Sequence, residues 1–316
     1  MLQYTYFLIP YHAKSFFSSI YPHNILNILL FGIYYISDNE NFPRRRNIMI
    51  NIAVIGAAGR MGRRIIANAV ENGNFKVVGA VDWAGCPLLG QDAGSVAGVQ
   101  ALDVPITASL AGVFENAQVD AVIDFATSGA VECAEVAVAN NAAFVCGVTA
   151  MSAEERAALK ELGKKGRLVV SGNMSVGVNL LFKLVKEAAT VLGEKFDVEI
   201  VEMHHNQKID APSGTAVRLG EVVCEVRNWD YDEAIRNGRA GKVGKRTTGE
   251  IGMHALRGGD VVGDHTVIFA AGGERVELTH KASSRDTFAK GALRAAEFLQ
   301  NAANGLYDMQ DVLNLK

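Results

Sequence analysis

The chain has 316 residues, 49% of them apolar, with 32 glycines and only 6 prolines. That length can bury two cores, and the glycine-rich composition suits an α/β enzyme with tight strand-to-helix turns better than a disordered chain. A net charge of −3 supplies no positive field, so neither nucleic acid nor an anionic membrane is an expected partner.

Residues 1–48 differ in composition from the rest: Phe, Tyr, Ile and Asn dominate, whereas Ala, Gly and Val dominate from Ile50 onward. The longest apolar run, Ile25 to Ile36, contains Asn27 and Gly32 and is too short to span a bilayer. No basic leader or small-residue cleavage site accompanies it. The segment reads as an extension that is either disordered or upstream sequence read through from a misplaced start. In the second case Met49 opens the protein, and the run Arg44-Arg45-Arg46 reflects a purine-rich ribosome-binding site. The cysteines Cys86, Cys133, Cys146 and Cys224 have neither C-x-x-C nor zinc-ligand spacing, so they read as buried thiols of a cytoplasmic protein without a metal.

From Asn51 the elements follow in order. An apolar run to Ile55 predicts a strand; G-A-A-G-R-M-G at 56–62 predicts a phosphate-binding turn; Ile65, Ile66 and Val70 predict a helix. Glycines let the backbone approach a pyrophosphate, and the first amides of the helix receive its charge. A second strand, Phe75 to Val81, ends at Asp82, where a carboxylate can accept hydrogen bonds from an adenosine ribose and would repel a 2′-phosphate. That favours NADH over NADPH, although Arg60 offsets part of the repulsion. Apolar runs at Ala121–Phe125, Ala143–Cys146 and Leu168–Val170, with a helix over 152–162 between the last two, complete a doubly wound parallel sheet. Gly147, Thr149, Ser171, Gly172, Asn173 and Met174 follow strand ends and are placed to line the nicotinamide end.

In the second half a helix over 175–192 and an alternating strand over 197–203 precede V-E-M-H-H-N-Q-K-I-D-A-P-S-G-T-A at 201–216. Pro212 and Ser213 turn and cap a further helix running through Val226. The amides at Ser213, Gly214 and Thr215 suit a carboxylate, Lys208 adds a cation, and His204 and His205 can deliver a proton near neutral pH. Taken singly, each feature also has an ordinary role: a solvated histidine pair or metal ligands lacking a third partner, a Lys208–Asp210 ion pair, a plain helix cap.

Together, G-A-A-G-R-M-G, H-H-N-Q-K-I-D-A-P-S-G-T-A and H-K-A-S-S-R resemble the 4-hydroxy-tetrahydrodipicolinate (dihydrodipicolinate) reductase family from about Ile50 to the C-terminus. The resemblance implies reduction of a cyclic imine dicarboxylate to tetrahydrodipicolinate in the diaminopimelate route to lysine. It implies His204 as proton donor and Lys208 as the group that meets developing negative charge. Substrate would be bound by His205, Ser213, Gly214, Thr215 and Arg285. The cofactor would be held by Gly56, Ala57, Ala58, Gly59, Arg60, Met61, Asp82, Gly147, Val148, Thr149, Ser171, Gly172, Asn173 and Met174. It further implies a homotetramer built on a mixed sheet, for which 249–254, 263–270 and 276–279 supply strands. Two features depart from the family: Trp83 stands where NADPH-using members often carry a basic residue, and residues 1–48 have no counterpart.

The expected fold class is α/β: a Rossmann-type domain over 49–174 plus 286–316, and a smaller α+β domain with a mixed sheet over 175–285. A short-chain dehydrogenase would need Tyr-x-x-x-Lys, but Tyr231 is followed four residues on by Ile235. An aspartate-dehydrogenase-like oxidoreductase would not need P-S-G-T after H-H-x-x-K, and a non-catalytic NAD-sensing protein would not keep the paired His and Lys.

Overall fold

The computed structural model describes residues 49–149 and 151–316; the expectations for residues 1–48 lie outside them. Seven strands form one sheet in which every pairing is parallel: β1 (Ile50–Ile55), β2 (Phe75–Val81), β3 (Ile106–Thr107), β4 (Ala121–Asp124), β5 (Ala143–Cys146), β6 (Arg167–Val170) and β12 (Gly305–Tyr307). Their spatial order is β12-β6-β5-β4-β1-β2-β3. The chain therefore leaves β1 in one direction through β2 and β3, then returns to β4 on the other side. In such a sheet the crevice beyond the carboxyl ends of the strands flanking this reversal, here β1 and β4, is where ligands enter.

Helices α1 (Arg60–Asn72), α2 (Ala93–Ala97), α3 (Leu110–Asn116), α4 (Ala130–Ala139) and α5 (Ala153–Gly163) connect these strands. The largely apolar runs of β1 through β6 follow from burial on both faces, which removes the need for alternation. Ile52, Val54, Ile65 and Ile66 sit in one core, Val122, Phe144 and Leu168 in the other. α5 begins with a reciprocal capping box: the Ser152 hydroxyl accepts from the Glu155 amide, and the Glu155 carboxylate accepts from the Ser152 amide.

The second sheet contains β7 (Asp197–His204), β8 (Ile235–Asn237), β9 (Ile251–Arg257), β10 (Gly263–Ala271) and β11 (Glu274–Ala282), in the order β11-β10-β7-β9-β8. It is mixed: β10 runs antiparallel to β7 and β11, while β9 runs parallel to β7 and β8. Its core is formed with α6 (Val176–Leu192) and α7 (Gly214–Arg227), where Leu181, Val185, Leu219 and Val223 meet Ile200, Met253 and Phe269. A short helix, α8 (Tyr231–Ala234), precedes β8. α9 (Asp286–Leu299) then returns to the first sheet and buries Ala289, Ala292, Ala296 and Leu299 in its core; β12 and α10 (Met309–Val312) follow. The small edge strands β3, β8 and β12 were not legible in the sequence.

Candidate active site

The glycine turn is shaped by close approach. Gly56 is left-handed at φ +71°, and a Cβ there would lie 3.4 Å from the Ala126 nitrogen just beyond β4. At Gly62 a Cβ would stand 2.1 Å from the Gly56 carbonyl oxygen and 2.7 Å from the Ala57 Cα, so only glycine lets α1 seat this tightly. The N-cap of α1 is Gly59, no side chain caps the helix and no acidic residue occupies its first turn. The leading amides are thus kept for an anion. Asp82, at the end of β2, accepts from the Ala58 amide at 2.8 Å and from its own neighbour Trp83 at 3.0 Å. A carboxylate has acceptor capacity beyond these two bonds. The Trp83 ring lies over Gly85 and is 69% exposed, open on its outer side. These features fit a dinucleotide.

The second half of the site grows from one face of β7. Alternation places Val198, Ile200, Glu202 and His204 on the buried side, so that face changes from apolar to ionisable toward its C-terminal end. Glu202 is 0% exposed. Its carboxylate takes both Arg257 guanidinium nitrogens at 2.8 and 2.9 Å, the Ser213 amide at 3.0 Å and His204 Nδ1 at 2.6 Å. Burial alone would raise this carboxyl; Arg257, His204 and the Ser213 amide outweigh it and hold Glu202 below its ordinary value. An ionised carboxylate only accepts, so His204 Nδ1 is the donor. The His204 ring meets His265 edge-on, with centroids 5.1 Å apart. Desolvation pushes His265 down to about 3, which keeps it neutral. A Cβ at Gly263 would stand 2.9 Å from His204 Nε2, so glycine there leaves that ring edge uncovered.

His205 follows on the loop, its amide bound to the Val261 carbonyl at 2.7 Å. Desolvation, then the charges of Arg285, His204, Arg60 and Lys208, hold its imidazole below the ordinary value. Arg60 of the glycine turn and Arg285 therefore act on the same ring as the second-half loop. Lys208 is paired with Asp210 at 2.8 Å, and the Asp210 carbonyl is held by Arg257. The ordinary role open to Lys208 thus coexists with its place beside His205.

Two cavities share a wall at Thr149, Ser171, Gly172 and Asn173. One continues along Met61, Phe125, Gly147, Val148 and Arg285; the other passes Gly214, Thr215, Lys183 and Arg218. Asn173 Nδ2 donates to Thr215 Oγ1 at 3.0 Å, joining the loop after β6 to the first turn of α7. His204, His205 and Lys208 line neither cavity; Arg285, which lines the first, is among the charges that act on His205.

Several expected ligands differ in what they can offer. Ser213 is 2% exposed, its hydroxyl accepts from the Ala216 amide at 3.2 Å and lies 2.9 Å from His265 Nε2. With its amide on Glu202 as well, Ser213 has partners within the chain for both its hydroxyl and its amide, so it caps α7 and anchors the turn on which the substrate amides stand. Ala57, Val148 and Met174 have buried side chains, so they can face a ligand through their backbone only. Sequence reasoning missed Glu202, Arg257 and His265. The i, i+2 spacing of Glu202 and His204 on an alternating strand was the available signal; the pairing of strands that brings Arg257 and His265 beside them had none.

Two family models match the chain: dihydrodipicolinate reductase, N-terminus, over residues 50–174, and dihydrodipicolinate reductase, C-terminus, over residues 177–313. The chain belongs to the dihydrodipicolinate reductase family. It is 50% identical over 269 residues to a 4-hydroxy-tetrahydrodipicolinate reductase of Syntrophotalea carbinolica, and 51% identical to that of Trichlorobacter lovleyi; each match covers 85% of this chain and all of the relative. Among solved structures it resembles a dipicolinate-bound dihydrodipicolinate reductase from Paenisporosarcina sp. TG-14, with a TM-score of 0.66 at 24% identity, covering 83% of this chain and 98% of the other. An amine dehydrogenase from Mycobacterium smegmatis shares the fold at a TM-score of 0.54 and 12% identity, covering 83% and 95%. Family membership sets aside the aspartate-dehydrogenase-like and NAD-sensing alternatives. Among the described residues no helix is long and apolar enough to cross a membrane.

Proposed function

We propose that this family member reduces 4-hydroxy-tetrahydrodipicolinate to tetrahydrodipicolinate with a pyridine nucleotide, and that His204 and Lys208 perform the chemistry. The observation that carries the reading is the Glu202-held His204 at the end of β7, with His205 beside it on a loop where the charges of Arg285, His204, Arg60 and Lys208 all act on its ring. The bound nucleotide supplies hydride. The chain's residues do the rest: the turn from Gly56 through Met61 receives the pyrophosphate, on the amides that open α1 because those of Ala57, Ala58 and Gly59 are held by Val81, Asp82 and Gly56, Asp82 meets the adenosine ribose, and Gly147 through Thr149 with Ser171 through Met174 flank the nicotinamide end. His205, Gly214, Thr215 and Arg285 hold the substrate carboxylates.

As the substrate gains a hydride, negative charge develops on the conjugated imine. The Lys208 ammonium stabilises that charge, and a proton reaches the ring from His204 through Nε2, since Nδ1 is engaged by Glu202. Loss of water from the hydroxylated carbon, which precedes hydride transfer and brings a carbon–carbon double bond into conjugation with the imine, completes the balance of one hydride and one proton gained. Asp82 and the non-basic Trp83 favour NADH over NADPH. Residues 49–174 with 286–316 form the dinucleotide part and 175–285 the substrate part, acting in the cytoplasm as a homotetramer. The test is a coupled assay in which aspartate semialdehyde, pyruvate and the preceding synthase supply substrate while NADH and NADPH oxidation are followed separately. Substrate-dependent oxidation is expected, faster with NADH; no oxidation of either defeats the reading.

A further inference from the structure

We infer that Glu202 is a positioning residue for the proton transfer: it fixes which nitrogen of His204 carries hydrogen and holds the ring's other edge free for substrate. The inference rests on His204 being the proton donor and adds the device that makes it one.

A free histidine is a poor directed acid because its ring rotates and its hydrogen sits on either nitrogen. Glu202 removes both freedoms. It is wholly buried, it is ionised, and it stands 2.6 Å from His204 Nδ1. It cannot itself wander, because Arg257 grips both its oxygens from β9 and the Ser213 amide holds one of them from the loop before α7. On the opposite edge Gly263 withholds the side chain that would collide with Nε2. The remaining groups facing the pair do not compete for it: His265 of β10 is neutral and 2.9 Å from Ser213, and Lys208 is paired with Asp210. One carboxylate thus links the helix cap to the catalytic imidazole, so the substrate-side amides of α7 and the proton donor share one anchor.

A purely structural role for Glu202 would leave the tautomer of His204 to chance, and two measurements separate these cases. In the wild-type full-length protein, nitrogen-15 NMR of His204, assigned with His204→Gln, should show hydrogen on Nδ1 throughout the pH range of activity, as a strongly deshielded proton. A neutral ring protonated on Nε2 alone would overturn the inference without Glu202→Gln having to fold. In Glu202→Gln that signal should vanish and kcat should fall about 100- to 1000-fold, by the scale of a lost general acid and of a lost orienting carboxylate. NADH affinity should move by no more than about twofold, and kcat should fall by far more than KM rises. A variant that folds, binds NADH and turns over like wild type would also overturn it. If the wild type itself reduces nothing, the proposed reaction fails, while the tautomer result still reports on Glu202.

Discussion

Gly62→Ala probes the link between sequence and cofactor binding most sharply. The added Cβ would meet the Gly56 oxygen at 2.1 Å and the Ala57 Cα at 2.7 Å, both backbone atoms that cannot swing aside. Restoring ordinary contact requires α1 to retreat by about 1 Å from the glycine turn, since close-packed interiors do not absorb overlap of that size. Overpacking of this kind costs about 1–3 kcal/mol, offset by up to about 1 kcal/mol because alanine favours a helix over glycine. The effect on binding is larger. An amide about 1 Å out of place stretches a hydrogen bond of about 2.9 Å beyond useful range. Each lost bond to a charged group is worth about 1.5–3 kcal/mol, so NADH affinity should fall about 10- to 100-fold. Calorimetric titration with NADH, paired with urea unfolding of the unliganded protein, reads both numbers. Affinity within about twofold of wild type would refute the claim that this close approach aims the helix amides at the cofactor.

Cofactor preference should respond to the residue after Asp82: Trp83→Arg offers a cation to a 2′-phosphate and should raise the NADPH-to-NADH ratio of kcat/KM by about tenfold, a single charge-assisted contact. An unchanged ratio would remove Trp83 from the argument. Asp124 closes β4 with one oxygen on the Ala126 amide and the other without a partner among the described residues; desolvation raises it to about 6. Because its folded value lies above the unfolded one, it stabilises the fold below the unfolded value, about 3.8, and loses that contribution as pH rises through about 6. Asp124→Asn, which keeps an acceptor for the Ala126 amide, should therefore stabilise the protein by about 1–3 kcal/mol at neutral pH and by much less near pH 4, in urea melts at each pH. The same gain at both pH values would show that ionisation is not the cause.

What the sequence made legible followed physical rules of short range. β1, the glycine turn and α1 could be read because apolar run, glycines and helical periodicity are contiguous from Asn51 to Val70. α7 could be read from its cap, since Ser213 and the turn before it are local chemistry. β12 was illegible because three residues, Gly305–Tyr307, carry no period; only β6 alongside makes them a strand. The same limit hid half of the site. His204 and Lys208 stand in one motif, whereas Arg257 and His265 reach Glu202 only through the register of β9 and β10 against β7. Ser213 shows the same limit: its cap could be read locally, whereas the bonds of its amide to Glu202 and its hydroxyl to His265 depend on that register.

The central claim, that His204 delivers the proton to a substrate held beside the nucleotide turn, is tested most directly by His204→Gln in the full-length protein. Single-turnover reduction of synthase-supplied substrate should slow by about 100- to 10,000-fold, the range expected on removing a general acid, while NADH affinity stays within about twofold. Wild-type turnover in this variant, or an equal loss of turnover and NADH binding, would contradict it.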